Sequence, residues 1–183
     1  QPYVSGLSGP NGVYGALDGA VWVTEFSGDR VIRVDQAGNV TPIVDGSPAS
    51  SPNGIVHDPV RDVVFFTNYG AGKILRVDPE GATTAVDVTT IPGAALDGLA
   101  MDVCGHLYAV DNANARLYRV RLDAAGAIVG EPEMLAEFDT NVANAQFGSG
   151  PGWNATSIYA AGNPGDVYEV PVGVEGAPVP GAR

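Results

Sequence analysis

Short runs of apolar residues alternate along the chain with polar stretches that contain glycine and proline. The runs are rich in β-branched and aromatic residues, which is typical of strands and not of amphipathic helices. One run recurs four times with an aromatic residue at the same position, and these residues are Trp22, Phe65, Tyr108 and Tyr159. A second run follows each copy, and its equivalent valines are Val34, Val77, Val120 and Val170.

The equivalent valines lie 43, 43 and 50 residues apart. A period of about 40 to 50 residues is that of a four-stranded β-propeller blade. The pattern therefore predicts an all-β fold, a β-propeller with four blades in this chain. Residues 1–183 are predicted to form one domain, with blades at approximately 9–48, 49–92, 93–141 and 142–183. Residues 1–8 are predicted to be an outer strand of a preceding or closing blade.

Polar residues open the innermost strand of every predicted blade, and they are Asn11, Asn53, Asp97 and Asn144. A second set comes directly after the aromatic runs, and it consists of Glu25, Asn68, Asp111 and Gly162. Antiparallel strands reverse direction at each turn, so both sets are predicted to share one face. The inner strands of a propeller line its axial channel, which places this ring of polar residues around the channel mouth.

The side-chain oxygens of Asn and Asp favour a hard cation such as Ca²⁺ or Mg²⁺ over zinc. Asp97 is the only carboxylate among the strand openings, so a tight site needs another carboxylate. Glu25, Asp111 or a group outside this chain are the candidates. An alternative interpretation stays open, because Asn-Gly and Asp-Gly pairs are common in the turns of any β protein.

The chain is acidic, with 21 Asp and Glu residues against nine Lys and Arg and a net charge of −12. Nucleic acids and anionic membrane surfaces both require a basic face, so neither is a predicted partner. No apolar run approaches the roughly 18 residues that a membrane span needs. The single cysteine, Cys104, excludes an intrachain disulfide, and the cellular compartment stays open.

Other catalytic arrangements lack support in the sequence. A Gly-x-Ser-x-Gly motif is absent, which excludes the usual serine hydrolase. His57 and His106 are predicted at opposite ends of their strands, so they do not form a pair.

Four segments together resemble a known family, and they span residues 51–59, 96–102, 143–148 and 167–178. They contain Pro-Asn-Gly, Leu-Asp-Gly, Asn-Ala-Gln-Phe-Gly and Val-Tyr-Glu-Val, respectively. This order resembles the β-propeller family of senescence marker protein (regucalcin), gluconolactonase and luciferin-regenerating enzyme. Residues 21–26 in the first repeat also resemble NHL-type repeats and blades of virginiamycin B lyase.

The resemblance implies a six-bladed propeller with one divalent cation, most simply Ca²⁺, above the channel. It implies that Asn53 and Asp97 are metal ligands and that Asp97 is also the catalytic general base. The residues expected to face the substrate are Asn11, Asn68, Asp111 and Asn144. The implied reaction is the hydrolysis of a small-molecule lactone or related ester, in which the cation polarises the carbonyl group and Asp97 activates water.

The chain also departs from the family pattern. The family's first blade supplies a glutamate ligand, and this sequence has no counterpart of that blade. Four repeats are present where the family has six, which predicts that another chain, or residues outside this sequence, complete the ring. Two alternative functions stay open: a non-catalytic propeller that serves as a binding or assembly scaffold, and a lyase of the virginiamycin B type.

Overall fold

The structure is a computed structural model that describes residues 3–79 and 84–178. This part of the chain contains strands and no helix. The strands of the first sheet are β1 Pro10–Gly15, β2 Val21–Glu25, β3 Arg30–Val34 and β4 Val40–Asp45. Those of the second are β5 Pro52–Asp58, β6 Val63–Asn68, β7 Lys73–Val77 and β8 Val86–Thr90. The third has β9 Leu96–Met101, β10 Leu107–Asp111, β11 Arg116–Val120 and β12 Glu133–Glu137, and the fourth has β13 Asn144–Phe147, β14 Ser157–Ala161 and β15 Val167–Pro171.

Each sheet is an antiparallel meander whose strands pair in the order of the sequence. The four sheets are the blades of a β-propeller, which confirms the predicted fold class. The fourth sheet has three strands in the described residues, where four were predicted. The chain beyond β15 leaves this sheet, and Gly176 instead forms an isolated bridge with Asp102 in the third sheet. No helix in the described part of the chain is long and apolar enough to cross a membrane.

The core lies between the sheets. Trp22 packs between the first and second sheets, Phe65 between the second and third, and Tyr108 between the third and fourth. All three residues are at most 3% exposed. The equivalent Tyr159 is only half-buried, because no further sheet of the described chain covers it, and the ring of Trp153 packs against it edge-on at 4.7 Å. Burial of the sheets between their neighbours therefore explains why a large aromatic residue recurs at this position of the repeat.

An outer strand was predicted for residues 1–8, of which residues 1 and 2 lie outside the described residues, and residues 3–8 do not form it. Residues 3–9 contain no strand, and Val4 and Leu7 instead pack on the apolar face of the first sheet. Gly6 and Gly9 have φ values of 80° and 62°, which interrupt an extended conformation. Strand β15 pairs only with β14 among the described strands, so residues 3–178 show no pairing of the N-terminal segment with the last sheet.

Candidate functional site at the channel mouth

The inner strands β1, β5 and β9 are irregular where their polar residues lie. In β5, Pro52 pairs with Asn68 and Ile55 pairs with Phe66, so the register shifts across Asn53 and Gly54. Strand β9 shifts in the same way across Asp97 and Gly98, and β1 shifts between Pro10 and Val13. Such bulges redirect side chains and are frequent at functional sites.

The glycines of these bulges allow neighbouring sheets to approach. A Cβ atom on Gly12 would lie 2.2 Å from the carbonyl oxygen of Asn53, and one on Gly54 would lie 2.5 Å from that of Asp97. None of these glycines has a positive φ, and all of them lie within strands. The Asn-Gly and Asp-Gly pairs therefore do not form turns. Glycine is required at these positions because neighbouring blades come into close contact there.

Two threonines, which sequence reasoning missed, join the sheets at these points. Thr24 Oγ1 accepts a hydrogen bond from Gly12 N (2.8 Å) and donates one to the carbonyl oxygen of Asn53 (2.5 Å). Thr67 Oγ1 likewise accepts from Gly54 N (2.7 Å) and donates to the carbonyl oxygen of Asp97 (2.7 Å). The threonines fix the backbone of the two predicted metal ligands.

The sequence does contain a signal for these threonines, since both precede the polar residue that ends an aromatic strand. The third sheet has Val110 at the equivalent position. There the sheets are joined by a direct bond from Gly98 N to the carbonyl oxygen of Ala143, at 2.8 Å. Neighbouring blades are thus hydrogen-bonded at this position in all three cases, through a threonine in two of them and directly between backbone groups in the third.

The structure brings Asn53 and Asp97 together. Asn53 is 4% exposed, and its side-chain amide donates a hydrogen bond to the carboxylate of Asp97. Burial raises the pKa of Asp97 from 3.8 to about 6, and the bond from Asn53 offsets part of that increase. The carboxylate is therefore a stronger base than an exposed aspartate and is still ionised above neutral pH.

Asn144 completes this group at the edge of the channel. Its Oδ1 would lie 2.5 Å from a Cβ atom on Gly98, the residue next to Asp97. Asn144 and Gln146 line a channel cavity of about 460 Å³ and are exposed. Asn11 is exposed as well, at the opening of β1. Gln146 carries an amide that the sequence analysis did not select.

The loop residues Asn68 and Asp111 do not belong to this group. Asn68 is 5% exposed, and its amide donates to the carbonyl oxygen of Pro48 at 3.1 Å. Asp111 is 1% exposed and accepts a bond from Ala95 N at 3.0 Å. Both residues lie at the ends of the aromatic strands β6 and β10 and not on an inner strand. Both side chains hold the segment that leads into an inner strand, and their role in substrate binding stays a prediction.

Glu25 has the same structural role in the first sheet. Its carboxylate is fully buried, accepts a bond from Ser8 N at 2.6 Å and forms an ion pair with Arg30 at 2.7 Å. Glu25 and Asp111 are therefore not available as the further carboxylate that a cation site needs. His57 also lies away from the channel cavity, with its ring 5.5 Å from that of Trp22 and its Nε2 atom 3.4 Å from Asp62.

The donors at the channel mouth have the right chemistry for a divalent cation, but they are few. In the described residues, no cluster of three or more His, Cys, Asp and Glu side chains is placed to hold a metal ion. The carboxylate of Asp97 and the amide oxygens of Asn53 and Asn144 supply three ligand groups, whereas Ca²⁺ takes six to eight oxygens. Water and groups outside the described residues would have to supply the others.

Four antiparallel sheets that follow one another around a channel define a β-propeller. By sequence, the chain matches no described protein family and no curated protein. Solved structures do match its fold. A streptogramin B lyase is 22% identical with a TM-score of 0.67, and the match covers 94% of this chain and 58% of that one.

Two further neighbours come from the family that the sequence resembles. A gluconolactonase from Xanthomonas campestris is 19% identical with a TM-score of 0.68, and the match covers 90% of this chain and 57% of that one. A calcium-binding regucalcin from Agrobacterium tumefaciens is 19% identical with a TM-score of 0.69. This match covers 93% of this chain and 63% of that one. The predicted resemblance is thus confirmed at the level of the fold, and the chain spans less than two thirds of each of these neighbours.

Proposed function

We propose that the Asn53–Asp97 pair is the basic centre of a site that hydrolyses a lactone or related ester. The observation that carries this proposal is the desolvated carboxylate of Asp97, hydrogen-bonded to Asn53 beside the channel. The gluconolactonase and regucalcin neighbours support a lactonase-like propeller. Lactone hydrolysis needs a base that deprotonates water, and the raised pKa of Asp97 suits its carboxylate to that role.

In this mechanism the amide of Asn53 orients the carboxylate of Asp97 through one hydrogen bond. The carboxylate accepts a proton from a water molecule, which then attacks the carbonyl carbon of the ring ester. The proton subsequently passes to the alkoxide that leaves when the ring opens. Asn144, which is exposed in the channel cavity, would bind polar groups of the substrate through its amide.

A divalent cation belongs to the same proposal. Asn53 and Asp97 would hold it, and bound there it would polarise the carbonyl group of the ester. Because the described residues supply few ligands, we propose that the remaining donors come from sheets that complete the propeller, either on another chain or in residues outside this sequence.

The test combines a binding measurement with an activity measurement. Millimolar Ca²⁺ should raise the melting temperature of the protein through ligand linkage, and Asp97→Asn should remove that response. Asp139→Asn is the matched control, because Asp139 is exposed and lies outside the strands, between β12 and β13. Lactone hydrolysis, measured with the completed propeller, should fall at least 100-fold in Asp97→Asn and stay unchanged in the control. A melting temperature that is insensitive to Ca²⁺, together with equal hydrolysis in all three proteins, would favour a scaffold.

A further inference from the structure

A second cavity lies at the end of the channel opposite Asn53 and Asp97. Its volume is about 250 Å³, and it opens where β5 and β9 end, at Asp58 and Met101. A strand rises about 3.3 Å per residue, so Met101 lies roughly 13 Å along β9 from Asp97. The cavity is therefore distant from Asn53 and Asp97, and Tyr14 lines both this cavity and the channel cavity.

The C-terminal segment forms one wall of this cavity. The backbone carbonyl oxygen of Glu175 accepts a hydrogen bond from Val103 N at 3.0 Å, and Ala177 N donates to the carbonyl oxygen of Met101 at 2.9 Å. These bonds pair the C-terminal segment with the end of the inner strand of the third sheet, and they hold Ala177 beside the channel. Most of the remaining wall is also apolar, and Val60 and Val103 are 92% and 55% exposed at its rim.

The charged groups of the cavity wall are already paired within the protein. Asp58 is 2% exposed and forms an ion pair with Arg61, whose guanidinium also donates to the carbonyl oxygens of Gly105 (3.1 Å) and Asp123 (2.7 Å). Asp102 is 1% exposed, accepts a bond from Cys104 N at 2.9 Å and accepts one from the hydroxyl group of Tyr108 at 3.0 Å. A charged ligand would therefore find no unpaired counter-charge among the described residues of the wall.

Unlike these charged groups, the hydroxyl group of Tyr14 in the cavity wall has no hydrogen-bond partner among the described residues. Tyr14 lines the cavity and is half-buried, yet its hydroxyl group forms no hydrogen bond with any described residue. Burial and the nearby carboxylate of Asp58 both raise the pKa of Tyr14, so the hydroxyl group keeps its proton. It is an unused donor in an apolar surrounding, where a hydrogen bond contributes more than in water.

We propose that this cavity binds a neutral, mostly apolar small molecule that carries one carbonyl or ether oxygen, which accepts a hydrogen bond from Tyr14. An apolar cavity of 150 Å³ holds benzene in another protein, so a cavity of about 250 Å³ accommodates a compact ring system of about ten carbon atoms. The exposed side chains of Val60 and Val103 form the apolar entrance.

Three compounds with one ring skeleton test this proposal on the whole chain. Camphor has a carbonyl group, its parent hydrocarbon bornane has none, and camphorsulfonate adds a negative charge. We expect saturable binding of camphor, weaker binding of bornane and no binding of camphorsulfonate. Cys104 lines the cavity and is exposed, so the rate at which a thiol reagent labels it reports occupancy.

Variants separate the role of the hydroxyl group from that of the cavity. Tyr14→Phe should weaken camphor about five- to tenfold and leave bornane unchanged, because it removes one hydrogen bond. Tyr3→Phe, at an exposed residue outside the cavity, is the control. Ala124→Trp should fill the cavity and abolish the binding of both compounds. Equal affinity of camphor for the parent protein and Tyr14→Phe, or no protection of Cys104 by either compound, would overturn the proposal.

Discussion

The second and fourth sheets share a sequence pattern but differ in their surroundings. The second sheet is covered on both faces, and its inner strand is bulged at Asn53 and Gly54. The fourth is covered on one face in the described chain, and its inner strand pairs regularly from Asn144 to Phe147. Ala145 stands where the first three sheets have glycine. The bulge, the glycine and the bridging threonine therefore occur where a sheet contacts the next sheet along the chain. The candidate site lies at one such contact.

The largest expected difference concerns the aromatic residues of these sheets. Phe65→Ala should lower the free energy of unfolding by about 3 to 5 kcal/mol, because the side chain is fully buried between two sheets. Tyr159→Ala should lower it by about 1 kcal/mol, since Tyr159 is half-buried. Urea denaturation of both variants measures the difference. Equal losses would mean that the fourth sheet is covered on both faces in solution.

The glycine of the second sheet provides the next test. Gly54→Ala should destabilise the protein by about 3 kcal/mol, because the new Cβ atom would lie 2.5 Å from Asp97 O and from Leu99 N. Gly70→Ala is the matched control, with no atom within 4 Å of its Cβ position. We expect the control to change stability by less than about 0.5 kcal/mol in thermal unfolding. A mild effect of Gly54→Ala would show that the sheets can separate at this point.

A smaller effect should depend on pH. The pKa of Asp97 is about 6 in the folded protein against 3.8 ordinarily, so the folded state binds more protons between these values. The free energy of unfolding therefore falls as the pH rises from about 4 to 6 and stays lower above that range. Asp97→Asn should stabilise the protein by about 1 to 2 kcal/mol at pH 8, after allowance for the partial exposure of Asp97, and leave it unchanged near pH 3.5. Asp139→Asn, compared by denaturation at both pH values, should show no such dependence.

The smallest effect on stability is expected on the outer face of the fourth sheet. Val167 is 64% exposed there and Trp153 is 55% exposed, so Val167→Asp should change the free energy of unfolding by less than about 0.5 kcal/mol. We propose that further propeller sheets cover this face, since the equivalent faces of the preceding sheets are buried. Val167→Asp should then abolish association with such sheets in sedimentation experiments. Association that persists in the variant would place the contact elsewhere.

The N-terminal segment shows where sequence reasoning went wrong. Residues 3–7 were predicted as part of an outer strand, but Val4 and Leu7 cover the apolar face of the first sheet without pairing as a strand. The apolar residues Val4 and Leu7 are partly buried in the structure. The local pattern of polar and apolar residues could not indicate the surface against which the segment packs, because that surface is formed by Val23, Ile32 and Val34, which are distant in the sequence.

The sequence by itself determined the repeat, the strands and the side of the blades on which the polar openings lie. Those features follow from local sterics and from the alternation of side chains along a strand, which need no knowledge of distant residues. Only the tertiary structure decided which polar groups remain at the channel. Asp97 and Asp111 are both aspartates of the third repeat, yet Asp111 accepts a hydrogen bond from Ala95 N, while Asp97 interacts with Asn53 of the second sheet. The chemistry of a carboxylate depends on its desolvation and its partners, and for Asp97 both are set by contact with the neighbouring blade.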